Sequence, residues 1–319
     1  MPTEFELIRA HFRLPTRHTD LAGGDDAALV SVGRDRQLVI STDMLVEGTH
    51  FFADTDPEEL GWKALAVNLS DLAAMAAEPR WAVLALALPD ADETWIAGFA
   101  RGLRACADAY RVDLVGGDTT RGPRTLCMTV FGEVERGRAV TRAGARPGDE
   151  LWVSGTPGRA ALGLAHLRGE ITLGEGGRDA CLAALHRPVP RIALGQDLRD
   201  VASAMLDVSD GVLGDLSHIL EQSRCGAIID APALPLATLI ACGASPQRAC
   251  DALLGGGDDY ELLFTAPVSR RAAIEALSAA HALPLTRIGS IDDQPGVLRL
   301  RDADGKLSHL ARSGYDHFD

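Results

Sequence analysis

Hydrophobic residues are spaced in two ways along this chain, and the spacing changes repeatedly from one end to the other. Short apolar runs bounded by turn residues predict buried strands, whereas apolar positions three and four residues apart predict helices. In the first half, strands are predicted at 37–42, 81–88, 112–116, 125–134 and 150–155. Helices are predicted over 57–77 and 92–110, the first of which begins with Pro57 and two glutamates.

The same alternation continues in the second half. The predicted helices are 158–168, 190–201, 211–223 and 269–280, and the predicted strands are 204–209, 226–229, 260–266, 284–289 and 296–300. Such alternation predicts two α/β domains. The turn in ARPGDELWVSG, 145–155, marks the boundary, so we expect an N-terminal domain over 1–146 and a C-terminal domain over 147–319. Strand 125–134 is long and apolar, and we expect it to pair across a subunit interface.

Composition places the chain among ordinary globular proteins and narrows its partners. It has 319 residues, of which 46% are hydrophobic and 24% charged, with a formal net charge of −14. A protein that binds nucleic acid through its phosphates would be basic, so nucleic acid is excluded as a partner. An acidic protein still binds phosphates when a metal ion lies between the two.

Cysteine usage and the absence of a signal pattern favour a reducing compartment. The six cysteines form no CxxC pair, and no histidine pair has zinc-site spacing. The first residues, MPTEFELIRAHF, lack the basic-then-apolar pattern of a signal peptide. The apolar run 81–88 is too short to span a bilayer. We therefore expect a cytoplasmic protein that does not insert into membranes.

Acidic residues recur beside glycines and at the ends of predicted strands. GGDD at 23–26, GGDT at 116–119 and GGGDD at 255–259 repeat one combination far apart in the chain. Glycine lets backbone approach a ligand closely, although Gly and Asp are also ordinary turn residues. Ligands of open α/β sheets collect at the carboxyl ends of strands, where Asp43, Asp118 and Asp207 are predicted to lie.

Asp71 is the most unusual acid because it lies inside a predicted helix that is apolar over much of its circumference. Asp is a poor helix-interior residue, and a buried carboxylate without a partner is costly. Asn68, three residues earlier, lies on the same helix face. A metal ion, an arginine or a capping contact would each satisfy the carboxylate. Together with the aspartates at strand ends, Asp71 favours several Mg²⁺ ions bound with a polyphosphate.

Absent motifs exclude the commoner phosphoryl-transfer and hydrolytic enzymes. The chain has no GxxxxGK[ST] P-loop, no GxSxG elbow and no HExxH zinc motif, and its lysines are too few for the protein-kinase arrangement. No serine or cysteine lies in a nucleophile motif. We therefore expect no covalent catalytic nucleophile.

Ordered motifs along nearly the whole chain resemble the thiamine-monophosphate kinase family. They are GGDDAALV (23–30), STDMLVEGTHF (41–51), NLSDLAAMAAEP (68–79), LVGGDTTRG (114–122), TRAGARPGDELWVSGTPG (141–158), LDVSDGVLGDL (206–216), GGGDDYELLF (255–264) and GYDHF (314–318). The resemblance implies a two-domain aminoimidazole ribonucleotide synthetase-like fold of the α/β (α+β, mixed-sheet) class. In that fold, N-terminal strands of a homodimer form a barrel.

The resemblance also implies roles for individual residues. The positions that match magnesium ligands are Asp26, Ser41, Thr42, Asp43, Asp71, Asp118, Asp207 and Asp210. Those that match ATP contacts are Gly117, Asp118, Arg142 and Ser209, and those that match the thiamine-phosphate site are His50, Asp258 and Tyr315. Relatives often read GGEDYEL where this chain has GGGDDYEL, so Asp258 and Glu261 compete for the substrate contact. A further nucleotide contact is expected within 99–102, and a K⁺ requirement is left open.

The implied reaction is ATP-dependent phosphorylation of thiamine monophosphate to thiamine diphosphate, the last step of thiamine diphosphate biosynthesis. Mg²⁺ would assist a direct in-line transfer. One alternative is a superfamily synthetase that activates an amide or carbonyl oxygen and releases free phosphate. Selenophosphate synthetases carry a reactive residue in an N-terminal glycine-rich loop, whereas the first cysteine here is Cys106. Another alternative is a non-catalytic nucleotide sensor, which would have lost some of the carboxylates that this chain retains.

Overall fold

The structure is a computed structural model that describes residues 4–22 and 27–310. Its α-helices are α1 Glu4–Leu7, α2 Pro57–Ala74, α3 Glu93–Tyr110, α4 Arg159–Leu167, α5 Glu175–His186, α6 Ile192–Leu198, α7 Val212–Ser223, α8 Leu236–Ala241, α9 Pro246–Gly255 and α10 Arg271–Ala280. Its strands are β1 Thr19–Leu21, β2 Leu29–Val30, β3 Arg36–Val46, β4 Glu78–Leu88, β5 Asp113–Arg121, β6 Thr125–Glu135, β7 Glu150–Ser154, β8 Ala204–Asp207, β9 Gly226–Asp230, β10 Leu262–Ala266, β11 Leu285–Asp292, β12 Leu298–Arg301 and β13 Leu307–His309. A π-helix follows α1 over Ile8–Phe12.

The chain divides into two compact units. The N-terminal unit runs to Leu72 and continues over Ala77–Arg138, and the C-terminal unit comprises Ala73–Ala76 and the chain from Ala139 onward. The end of α2 thus belongs to the second unit. The functional domains predicted at 1–146 and 147–319 stay a prediction.

The N-terminal unit is built on a four-stranded sheet in the order β3-β6-β4-β5. β4 and β5 run parallel, and the other neighbouring pairs are antiparallel. α2 begins where Asp56 accepts a hydrogen bond from the Glu58 N–H at 2.7 Å, and Pro57 fits the first helical position. Leu65, Val67 and Leu69 are at most 1% exposed, so α2 is buried on several sides, as its apolar circumference predicted.

β6 does not have the subunit-pairing role expected of strand 125–134. It lies between β3 and β4, so both of its hydrogen-bonding edges are occupied within the chain. Its length and apolar character follow from this central position. Among the described residues, β3 is one of the two edge strands of this sheet, and its Leu38, Ile40 and Met44 are 39%, 58% and 55% exposed.

The C-terminal unit is built on a seven-stranded mixed sheet in the order β13-β12-β9-β11-β7-β10-β8. Only β12 and β9 run parallel among the strand pairs described. Its core includes Leu151, Val153, Leu206 and Leu263, none more than 1% exposed. The mixed-sheet α/β class is therefore confirmed.

Sequence periodicity missed α5, α8 and α9. α5 carries Gly176 and Gly177 in its first turn, and glycine is a poor helix former. Gly177 is needed for packing, because a Cβ there would lie 2.5 Å from the Cys242 Cα. α9 does carry a readable signal, since the Ser245 hydroxyl accepts from the Arg248 N–H and Pro246 occupies the first turn. None of the helices in the described ranges combines the length and hydropathy that crossing a membrane requires.

Candidate active site

In the N-terminal unit, β3 and α2 bring together the first group of candidate ligands. Side chains alternate along a strand, so Ser41 and Asp43 lie on the same face of β3. The Ser41 hydroxyl donates to Asp71 Oδ2 at 2.5 Å, and the Asp43 N–H donates to Asn68 Oδ1 at 2.9 Å. Asp71 was expected to be buried, but it is half-buried and hydrogen-bonded. Its position inside α2 thus turns a carboxylate towards the Ser41–Asp43 face of β3.

This group has the donor chemistry of a hard cation. Mg²⁺ prefers oxygen ligands and is usually held by one or two carboxylates, several waters and substrate phosphates. Asp43, Asp71 and the Ser41 hydroxyl supply that kind of set. No three His, Cys, Asp or Glu side chains form a complete metal-binding cluster in the part of the chain that the structure describes. An ion bound here would therefore need ligands from water or a bound phosphate.

Thr42 faces the other side of the sheet. Its hydroxyl donates to the Met128 carbonyl at 2.8 Å and lies 3.0 Å from the Thr129 hydroxyl. The intervening position on β3 explains this orientation, because consecutive side chains point to opposite faces. The Thr42 hydroxyl therefore does not join Ser41 and Asp43, and the role of Thr42 as a metal ligand stays a prediction.

Asp118 lies at the opposite edge of the same sheet. The strand register aligns Asp43 with Met128, Met128 with Leu84, and Leu84 with Gly117, the neighbour of Asp118. Three strand spacings of roughly 4.8 Å separate the two edges by about 14 Å. Within one chain, therefore, Asp118 does not join Asp43.

Gly117 and Asp118 border a cavity of about 730 Å³ in the N-terminal unit. Apolar walls come from Phe12, Leu14 and Val115, and Arg9 also lines the cavity. Its volume lies within the roughly 300–1,000 Å³ of small-molecule sites. Gly117 allows close strand packing, because a Cβ there would lie 1.9 Å from the Leu84 carbonyl oxygen.

The exposure of residues 99–102 indicates which of them could make the expected nucleotide contact. Phe99 is fully buried and stacks on Trp95, and Gly102 packs against the Glu58 carbonyl. Ala100 is 7% exposed, whereas Arg101 is exposed and pairs with Glu58 at 3.1 Å. Of these four positions, Arg101 has the accessibility that a ligand contact requires.

In the C-terminal unit, the turn after β8 carries the next group of candidates. Asp207 ends the strand, and Ser209 and Asp210 form the turn that leads into α7. The Asp215 carboxylate accepts hydrogen bonds from both the Ser209 and the Asp210 N–H groups at 3.0 Å. Asp215 is 4% exposed, and burial raises the pKa of its carboxyl to about 7, although these hydrogen bonds oppose the shift.

Asp215 was missed in the sequence as a supporting residue. Its signal is an acid in the first turn of a helix that follows an Asp-Gly pair, the position from which a side chain reaches back to free backbone N–H groups. Arg142 lies near the same turn. Burial raises the pKa of the Asp215 carboxyl, and the positive charge of Arg142 partly opposes this rise. The Arg142 carbonyl accepts from the Ser223 hydroxyl at 3.0 Å, at the end of α7.

The loop over 255–261 runs beside this turn. The Asp258 N–H donates to the Ser209 carbonyl at 2.9 Å, and the Tyr260 N–H donates to the Val208 carbonyl at 2.8 Å. Glycine is required at 257, because a Cβ there would lie 2.3 Å from the Ser209 carbonyl oxygen. One reason for glycines beside these acids is therefore close backbone packing between two loops.

The three acids of this loop, Asp258, Asp259 and Glu261, have different surroundings. Glu261 is 7% exposed, and its carboxylate is bound by Arg191 at 2.8 and 2.5 Å and by Ser154 at 2.5 Å. Asp259 accepts from the Gly158 N–H at 2.6 Å at the start of α4, and burial raises its pKa. Asp258 is half-buried. The structure thus favours Asp258 for contact with a ligand.

His50 lies in the turn after β3 with a defined ring orientation. Its Nδ1 accepts a hydrogen bond from the Val46 N–H at 3.0 Å, which requires a neutral ring with the proton on Nε2. Arg124 stabilises the start of this turn. The Arg124 carbonyl accepts a hydrogen bond from the Glu47 N–H, and the Arg124 guanidinium binds the Glu47 carboxylate. The guanidinium also lies 4.7 Å from the centre of the Trp95 ring.

Asp26 and Tyr315 lie outside the described residues, so their roles stay predictions.

Comparison with known proteins assigns relatives to both units. Residues 24–134 match the family model for the AIR synthase related protein N-terminal domain, and residues 146–300 match that for its C-terminal domain. The chain is 45% identical over 320 residues to thiamine-monophosphate kinase of Escherichia coli (strain K12), covering 99% of this chain and 98% of the relative.

Solved structures agree with this similarity. The crystal structure of thiamine-monophosphate kinase from Stenotrophomonas maltophilia K279a has a TM-score of 0.84 and 45% identity, covering 94% of this chain and 95% of that chain. A structure described as "AaThiL complexed with AMPPCP and TMP" has a TM-score of 0.78 and 32% identity, covering 100% and 99% of the two chains.

Proposed function

The chain belongs to the thiamine-monophosphate kinase family, and from this membership we propose that it transfers the γ-phosphate of ATP to thiamine monophosphate. The products are thiamine diphosphate and ADP. This is the last step of thiamine diphosphate biosynthesis. The predicted location of the protein is the cytoplasm.

One observation in the C-terminal unit carries the proposal. The turn proposed to bind nucleotide, Ser209–Asp210, and the loop proposed to bind the acceptor, which carries Asp258, are hydrogen-bonded to each other through their backbones. A phosphoryl donor and its acceptor must lie within contact distance for in-line transfer. Two hydrogen-bonded loops offer a fixed spacing for the two reactants.

The chemistry requires charge neutralisation and positioning more than a base. A phosphate oxygen of thiamine monophosphate attacks the γ-phosphorus of ATP as the bond to the ADP oxygen breaks. That oxygen is already ionised near pH 7, so no strong general base and no covalent enzyme intermediate are needed. Bound Mg²⁺ would neutralise the facing phosphates. The proposed ligands are Asp43 and Asp71 in the N-terminal unit and Asp207 and Asp210 in the C-terminal unit.

Other residues of the chain would orient the two reactants. Arg142 offers a guanidinium fork to the phosphate chain, and Asp215 holds the Ser209 and Asp210 N–H groups in place. The His50 tautomer leaves a proton on Nε2, the form that donates to a phosphate oxygen. Asp258 would accept a hydrogen bond from the acceptor or face its cationic ring.

A homodimer would complete the metal set of the N-terminal unit. Asp118 lies about 14 Å from Asp43 within one sheet, and β3 and β5 are the two outer strands of that sheet among the described residues. If two copies close a barrel by pairing β3 of one with β5 of the other, the edge strand that carries Asp118 in one copy lies next to the edge strand that carries Asp43 in the other. Exposed Leu38, Ile40 and Met44 on β3 supply apolar surface for such pairing.

The choice of phosphoryl acceptor tests the substrate assignment. With ATP and Mg²⁺, we expect thiamine monophosphate to yield thiamine diphosphate, while thiamine itself yields no phosphorylated product. Thiamine is the matched control, because it has the same two rings and lacks only the phosphate nucleophile. Chromatography of both reactions measures the outcome. Phosphorylation of thiamine at a comparable rate would contradict the proposal.

A further inference from the structure

The loop that carries Asp258 has an unusual backbone. Asp258 and Tyr260 have φ angles of 68° and 53°, in the left-handed region that non-glycine residues rarely adopt. Such a conformation is least expected for a bulky aromatic residue. It persists only when the surrounding structure determines it, and residues of this kind cluster at ligand sites. The backbone of this loop is therefore consistent with a ligand-binding role.

Contacts on both sides of Tyr260 impose the conformation. The buried Asp259 carboxylate is fixed at the start of α4, and the Glu261 carboxylate is held by Arg191 and Ser154. The Tyr260 N–H donates to the Val208 carbonyl at 2.8 Å, and the Val208 N–H donates to the Glu261 carbonyl at 2.8 Å. Tyr260 is 8% exposed, so its ring is held by packing. The position of its hydroxyl is therefore set by neighbouring elements.

The fixed hydroxyl is directed at the half-buried carboxylate two residues earlier. Tyr260 Oη donates to Asp258 Oδ1 at 2.9 Å. A hydrogen bond to a charged acceptor is stronger than one between neutral groups, and it restrains the plane of the carboxylate. Residues two apart along an extended segment do not normally meet in this way. The two left-handed residues bend the chain so that they do.

We propose that Tyr260 is a positioning residue, which orients the Asp258 carboxylate towards the cationic, amine-bearing rings of the acceptor. This role rests on the proposed function. It makes Tyr260 a determinant of acceptor affinity that does not itself touch the acceptor. The nucleotide, which Ser209 and Arg142 are proposed to contact, is unaffected by the Tyr260 hydroxyl.

Tyr260→Phe tests the role, because it removes the hydroxyl and keeps the packed ring. We expect the KM for thiamine monophosphate to rise about threefold to tenfold, as expected for loss of one charge-assisted hydrogen bond. The KM for ATP should stay within about twofold of the original. Tyr110→Phe is the matched control, since that tyrosine ends α3 and packs edge-on against Trp62 in the other unit. It should change neither constant.

A double-mutant cycle separates positioning from a purely structural role. If Tyr260 acts through Asp258, then Tyr260→Phe should add little to Asp258→Asn in the KM for thiamine monophosphate. Additive effects, an equal rise in both KM values, or a lower melting temperature with unchanged acceptor KM would each overturn the inference. If the wild-type enzyme makes thiamine diphosphate and Tyr260→Phe leaves the KM for thiamine monophosphate unchanged, only the inference is refuted. A wild-type protein that makes none refutes the proposed function, and the inference with it.

Discussion

Asp71→Asn is expected to lower kcat by about 100-fold or more while leaving the protein folded. Removing a charge that acts on the transition state typically costs a factor of this size. Asparagine keeps the side-chain volume, and its carbonyl oxygen still accepts the Ser41 hydroxyl that now lies 2.5 Å from Asp71. What it removes is the negative charge that we propose holds Mg²⁺ beside Asp43.

Stability and metal dependence distinguish this account from simple damage. Without Mg²⁺, the melting temperature of Asp71→Asn should be equal to that of the wild type or higher, because one of two neighbouring like charges is lost. The rate should be measured while Mg²⁺ is titrated. Asp90→Asn, at an exposed position outside the helices and strands of the same unit, is the control and should be neutral. Near-normal kcat in Asp71→Asn would remove its metal role.

Removal of Mg²⁺ is expected to weaken ATP binding by about tenfold to 100-fold or more. The chain has a formal net charge of −14, and the proposed metal ligands are mostly carboxylates. Without a cation, these carboxylates repel a triphosphate, and a tenfold loss corresponds to about 1.4 kcal/mol, well within the range of such repulsion. Calorimetric titration with Mg²⁺ and with EDTA measures the difference.

Adenosine provides the control for this titration, because it carries the base and sugar without the phosphates. Its binding, if measurable, should be insensitive to EDTA. Equal affinity of ATP with and without Mg²⁺ would contradict the carboxylate argument as a whole.

Periodicity predicted the N-terminal unit well because its elements are long and strongly patterned. α2 and α3 each span several turns with capping residues at their starts, and β6 is a long, largely apolar strand. In the C-terminal unit, α5 contains a glycine pair that hides its helical pattern. The role of β6 was misjudged because a central strand and an interface strand have the same apolar character, and only the strand order separates them.

The candidate site could be found from motifs, but the role of each acid could not. Asp258, Asp259 and Glu261 lie close together in the sequence, yet only the structure shows that Asp259 is hydrogen-bonded to the start of α4 and Glu261 to Arg191. Asp118 looks equivalent to Asp43 in the sequence and lies across the sheet from it. Such differences arise from strand register and long-range packing, which local patterns do not contain.

The fate of the γ-phosphate of ATP tests the central claim most directly. ATP labelled at the γ-phosphate is incubated with thiamine monophosphate, Mg²⁺ and the protein, and the labelled products are separated and counted. Direct transfer predicts that the label appears in the terminal phosphate of thiamine diphosphate, with one ADP formed for each. Label recovered as free inorganic phosphate with ADP, and none in thiamine diphosphate, would contradict the account and favour a synthetase-type reaction.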